Sequence, residues 1–238
     1  MNILCFGDSN TYGYRPDGSG RFDADTRWTG LLQKKLGTND RIIEEGLCGR
    51  TTVFSDELRE GRRGLDTIGI LLESHAPVNL LILMLGTNDC KTRYNASAGT
   101  IAKGLEQVIT KAQKSSSHPF RLFVISPILL APGVGDPGFD PEFNKGSELV
   151  SQNLATEYKK LLSGITLIFS MLPLLPMPVK PTVSIWMLWG IGFWLKQSIK
   201  RSPLNQWFLG ELDCNLNDIA LEISNLLSLE TDLFANQV

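Results

Sequence analysis

Three short blocks carry residue types suited to nucleophilic chemistry, and each follows a stretch that reads as a strand. Gly7-Asp8-Ser9-Asn10 comes directly after Asn2-Ile3-Leu4-Cys5-Phe6. A serine hydroxyl is a latent nucleophile that a neighbouring base must activate. Gly46-Leu47-Cys48-Gly49-Arg50-Thr51-Thr52 brings two glycines, which let backbone approach a ligand closely. Gly86-Thr87-Asn88-Asp89 supplies a carboxamide. Main-chain N–H groups and a neutral carboxamide are the donors that stabilise negative charge growing on a carbonyl oxygen. Each block alone is also ordinary turn or helix-cap chemistry: Asp8 and Ser9 suit a cap, Gly49 a turn, and Asn88 a bond to a loop backbone.

The elements around these blocks alternate. Apolar runs predict strands over residues 2–6, 78–85 and 121–126, residues 40–45 read as a short strand centred on Arg41-Ile42-Ile43-Glu44, and helical spacing predicts helices over 27–36, 65–75, 97–113 and 146–162. Gly37 stops the first of these helices, and residues 11–26 read as a surface loop. The run 78–85 is nearly continuously apolar, interrupted only by Asn79, as expected for a strand buried on both faces. Strands alternating with helices imply right-handed crossovers and a parallel sheet, so all three blocks fall on its carboxyl edge, where open α/β sheets place ligands. The Pro- and Gly-rich residues 127–144 form a long loop at that edge, of a length typical of lids and substrate walls.

The three blocks in this order resemble the SGNH or GDSL hydrolase family, over residues 2–162. Arg27-Trp28-Thr29-Gly30 and residues 40–52 are most similar to its arylesterase-like branch. The resemblance implies a flavodoxin-like three-layer α/β/α sandwich. It also implies that Ser9 is the nucleophile and that the N–H of Ser9, the N–H of Gly49 and the side-chain amide of Asn88 form an oxyanion hole. The implied substrates are small carboxylic esters, hydrolysed without metal or organic cofactor. Asp89 and Cys90 read as structural neighbours, and Arg50 as a solvated guanidinium at the pocket's margin.

The same family places an aspartate and a histidine in a late D-x-x-H block, and here the chain departs from it. Its two histidines are His75 and His118. Both precede strands, so both are expected on the surface at the sheet edge opposite Ser9. Between Lys159 and Gly210 there is neither Asp nor Glu, while four of the five tryptophans fall there, so the composition breaks where the block should be. Residues 165–195 look like a membrane segment, but four prolines break the first half and 183–195 are too few to span a core of about 30 Å.

A displaced reading frame gives a sharper account. Taking the third base of each codon with the first two of the next, residues 168–172 permit F-F-D-A, and residues 180–198 permit T-D-G-I-H-M-D-V-V-G-H-R-I-L-A-E-A-I. Some letters are forced: Trp186 before Met187 gives D, and Trp189 before Gly190 gives G. The aspartate would straddle the codons of Pro181 and Thr182, the histidine those of Ser184 and Ile185. The expected organisation is a hydrolase-like domain over 1–162, an anomalous apolar segment over 163–200, and a tail over 201–238. Leu216, Ile219, Ile223 and Leu226 in that tail keep helical spacing.

The net charge of −2 gives no electrostatic footprint for a nucleic acid. Cys5, Cys48, Cys90 and Cys214 are scattered without a C-x-x-C pair, which reads as reduced thiols in a cytoplasmic protein. The chain enters its first strand without a leader pattern. A small ester is the expected partner, with no membrane; homo-oligomerisation is left open.

Overall fold

The computed structural model describes residues 1–15, 17–136 and 140–162, the backbone of 169–170, and Ile219. Strands β1 (Asn2–Gly7), β2 (Arg41–Gly46), β3 (Leu80–Met84), β4 (Arg121–Ile125) and β5 (Phe169–Ser170) form one sheet in the order β2-β1-β3-β4-β5. Every pairing is parallel, and Gly7 is level with Gly46 on one side and Met84 on the other. The first three strands therefore end side by side, with β1 in the middle.

The helices are α1 (Ser9–Tyr12), α2 (Trp28–Leu36), α3 (Gly64–Ser74), α4 (Ala98–Ser115) and α5 (Lys145–Leu162). Side chains alternate across a strand, and β1 and β3 use both faces. Leu4, Phe6, Leu81 and Leu83 pack with Ile68 and Leu72 of α3, Ile101 and Leu105 of α4, and Leu154 and Tyr158 of α5. Ile3, Cys5, Leu80, Ile82 and Met84 pack on the other face with Trp28 and Leu32 of α2, and with Ile219. The result is the expected three-layer α/β/α arrangement, with β1 and β3 buried on both sides.

The predicted strands and long helices appear with ends shifted by one or two residues. The single turn α1 was not expected: Asp8 caps it by accepting a hydrogen bond from Asn10 N at 3.0 Å, so the loop begins only at Gly13. Among the described residues no helix is long and apolar enough to cross a membrane. The apolar segment at 183–195, the displaced aspartate and histidine, Cys214 and the spacing of the tail apart from Ile219 lie outside the described residues.

Candidate functional site

Ser9 is the first residue of α1, directly past the end of β1, and it is buried with its neighbours Asp8 and Asn10. Gly49 lies in the turn after β2 at φ +85°, a left-handed conformation that side chains resist. Asn88 opens a single 3-10 turn, Asn88–Cys90, four residues beyond the end of β3. Its Nδ2 donates to the main-chain oxygen of Arg50 at 3.0 Å. That bond joins the β2 and β3 turns at the residue next to Gly49, and it leaves the amide a second hydrogen to donate elsewhere. The three predicted residues thus sit on the adjacent ends of β1, β2 and β3.

Arg50 departs from expectation. It is buried, not solvated: Nη1 donates to Gly7 O at 2.9 Å and also to Glu45 O, and the guanidinium lies 4.1 Å over the Phe6 ring. Burial pulls its pKa down to about 10, with Glu45 and Asp8 acting against the fall, so it stays charged at neutral pH. The sequence gives no sign of this, because an arginine between a glycine and two threonines is as easily a surface residue.

Two buried carboxyls flank the site. Asp89 accepts from Thr52 N at 3.0 Å and from the Thr52 hydroxyl, which makes it the structural neighbour expected of it. Burial raises it to about 6. Asp8 is also raised to about 6 by burial, against the pull of its bonds to Asn10 and the nearby Arg50. Its Oδ2, the Asn10 Nδ2 and the Thr87 hydroxyl are buried without a hydrogen bond of good geometry. Cys90 is buried as a neighbour of the same turn.

The histidines do not behave alike. His118 is exposed and bonds the Ser117 hydroxyl at 2.9 Å. His75, read as a surface residue, is half-buried at the end of α3, and its Nε2 meets Glu45 Oε1 at 2.8 Å. Cys5, Cys48 and Cys90 are free thiols, and no group of His, Cys, Asp and Glu among the described residues could hold a metal. Beside the site, Tyr12, Tyr14, Gly20, Leu47 and Cys48 line an open depression of about 260 Å³, whose lining does not include Ser9, Gly49 or Asn88.

The model of the GDSL-like lipase/acylhydrolase family matches residues 5–168. The chain belongs to that family. Among solved structures it is similar to the M. smegmatis aryl esterase, with 35% identity over 71% of this chain and 83% of that one and a TM-score of 0.64. It is also similar to a carbohydrate acetylesterase from Sinorhizobium meliloti, at 32% identity over 71% and 83% with a TM-score of 0.63. The lipase/acylhydrolase from Enterococcus faecalis, 19% identical over 71% and 74% with a TM-score of 0.50, shares the fold. No curated protein matches the chain. At the level of the family, this GDSL chain is an ester hydrolase of the arylesterase-like branch.

Proposed function

We propose that the chain acts on small carboxylic esters through an acyl-serine intermediate, with Ser9 as nucleophile. The Ser9 oxygen adds to the ester carbonyl. The oxyanion that forms accepts from the N–H groups of Ser9 and Gly49 and from Asn88 Nδ2. Collapse then expels the alcohol, and water hydrolyses the acyl-serine. The observation that carries this reading is the Asn88 to Arg50 bond, which sets a free amide hydrogen beside Gly49 at the strand end next to Ser9. Donors fixed at such a spot are each worth about two to three powers of ten in rate.

The base is the weak point. His75 is engaged with Glu45 and His118 is exposed with Ser117, and the late aspartate and histidine are absent from the chain. Losing a triad member leaves a fraction of the rate that binding and the oxyanion hole alone sustain. The chain is therefore a severely impaired hydrolase. The same observation favours a second reading, a relative that binds esters or acyl groups without turning them over.

Hydrolysis of a chromogenic short-chain ester separates the two. A slow rate that disappears in Ser9→Ala is the expected result, whereas a rate equal to buffer supports the binding protein. The domain division at 162 and the displaced frame are tested by the nucleotide sequence across codons 160 to 200. A codon for Ser184 that does not end in C removes the displaced histidine.

A further inference from the structure

We propose that Arg50 is the positioning residue of the oxyanion donors, tying the ends of β1, β2 and β3 together so that Gly49 and Asn88 are fixed relative to Ser9. The proposal rests on the Ser9, Gly49 and Asn88 reading above. Its basis is that one residue contacts all three strand ends. The guanidinium holds Gly7 O, two residues before Ser9, and Glu45 O at the end of β2. The main-chain N–H of Arg50 closes the turn onto Leu47 O at 3.0 Å, and Leu47 N in turn donates to Gly7 O at 3.1 Å. The main-chain oxygen of Arg50 holds the Asn88 amide.

The buried charge argues against a neutral accident of packing. The guanidinium is held by main-chain carbonyls and the Phe6 ring, and its Nε is buried without a partner. Burying a charge without a carboxylate bonded to it is expensive, even with Glu45 and Asp8 nearby. The return on that cost is that the ends of β1 and β2 are held together, with the Arg50 main-chain oxygen set to take the Asn88 amide. Carbonyl dipoles also fix a guanidinium more rigidly than an exposed carboxylate would, since neither carbonyl can rotate away. Lysine would keep the charge but not the planar group over Phe6 or the fork of donors.

The test uses phenylboronic acid with the full chain. Its tetrahedral boronate on Ser9 resembles the acyl oxyanion adduct, and boron NMR distinguishes it from the free trigonal acid. Affinity is measured for the wild type, Arg50→Lys, Arg50→Met, Asn88→Ala and the Arg50→Lys/Asn88→Ala pair, with Ser9→Ala as the adduct control and thermal melts as the folding control. The expected result is a loss of roughly tenfold or more in Arg50→Lys that is clearly smaller when Asn88 is already alanine, the remainder reflecting the Gly49 N–H, because residues acting through one another are not additive.

Wild-type affinity in Arg50→Lys overturns the proposal. So does an equal loss in both Asn88 backgrounds, which would make Arg50 independent of the amide. An Arg50→Lys chain that fails to fold assigns the residue to stability alone and overturns it as well. The absence of a Ser9-dependent adduct in the wild type overturns the nucleophile reading, and the proposal with it.

Discussion

In one cluster the charges of Asp8, Arg50 and Asp89 are buried and held largely by main-chain groups. In a second, Asp56, Arg59, Lys91, Arg93 and Glu142 hold one another. Arg59 and Arg93 both pair with Asp56, at 3.1 and 2.9 Å. Lys91 meets Glu142 at 2.7 Å, and Arg93 also pairs with Glu142. Glu142 belongs to the long 127–144 loop, and its main-chain oxygen accepts from Thr92 N at 2.8 Å. The first cluster fixes the candidate site to the sheet, because carbonyls and amides of strand ends cannot move independently of the strands. The second ties a loop to the turn after Asn88 through side chains, part of which face solvent, where ion pairs are weaker and screened by salt.

The sharpest way to break the first cluster is to part the strands from the inside. A Cβ on Gly7 would lie 2.0 Å from Thr11 Oγ1 and 2.9 Å from Met84 O. Gly7→Ala should cost about 3 kcal/mol and lower Tm by roughly 6–12 °C. A melt within the error of wild type would show that the strand ends are looser than described.

Next in size is the pH response of the buried carboxyls. Asp8 and Asp89 are each raised from 3.8 to about 6. Between those values the folded chain holds more protons than the unfolded one, so their contribution to stability falls as pH rises through the window and is lowest above it. Each is worth on the order of 2–3 kcal/mol across that range. Melting Asp89→Asn and wild type at pH 4 and pH 7, as round settings either side of about 5, should show the difference in Tm moving in the variant's favour at the higher pH. A constant difference would mean that Asp89 ionises normally.

The second cluster should respond less. Glu142→Gln leaves Lys91, which is buried, without its nearest carboxylate. A loss of about 1–2 kcal/mol is expected, below the full cost of splitting a buried pair because Glu142 is partly exposed. Burial, with Arg59 and Arg93 adding, pulls Lys91 down to about 8 against the opposing charges of Asp140 and Asp56. A neutral lysine needs no counter-charge, so the difference from wild type should narrow as pH rises past about 8. Lys34→Ala, which removes an exposed pair with Asp25 outside both clusters, should change stability by about 0.5 kcal/mol or less. A larger change there would erase the contrast on which the comparison stands.

Much of the frame was readable in advance. Apolar runs such as Leu80–Met84 and the helical spacing of α4 reflect burial of whole faces, which is a property of neighbouring residues. The short helix α1 escaped because four residues carry no period, and Gly7-Asp8-Ser9-Asn10 fits a turn equally well. Arg50 was misplaced because its burial depends on carbonyls at Gly7 and Glu45, one of them 43 residues away. The half-burial of His75 depends likewise on Glu45, 30 residues distant.

The sequence by itself determined the order of elements, the three chemical blocks and the lack of a late D-x-x-H block, since each of these is written in local composition. Only the tertiary structure decided that a buried guanidinium joins the ends of β1 and β2 and that the Asn88 amide is held beside Gly49. Both depend on main-chain groups, which every residue carries and which no sequence pattern can tell apart.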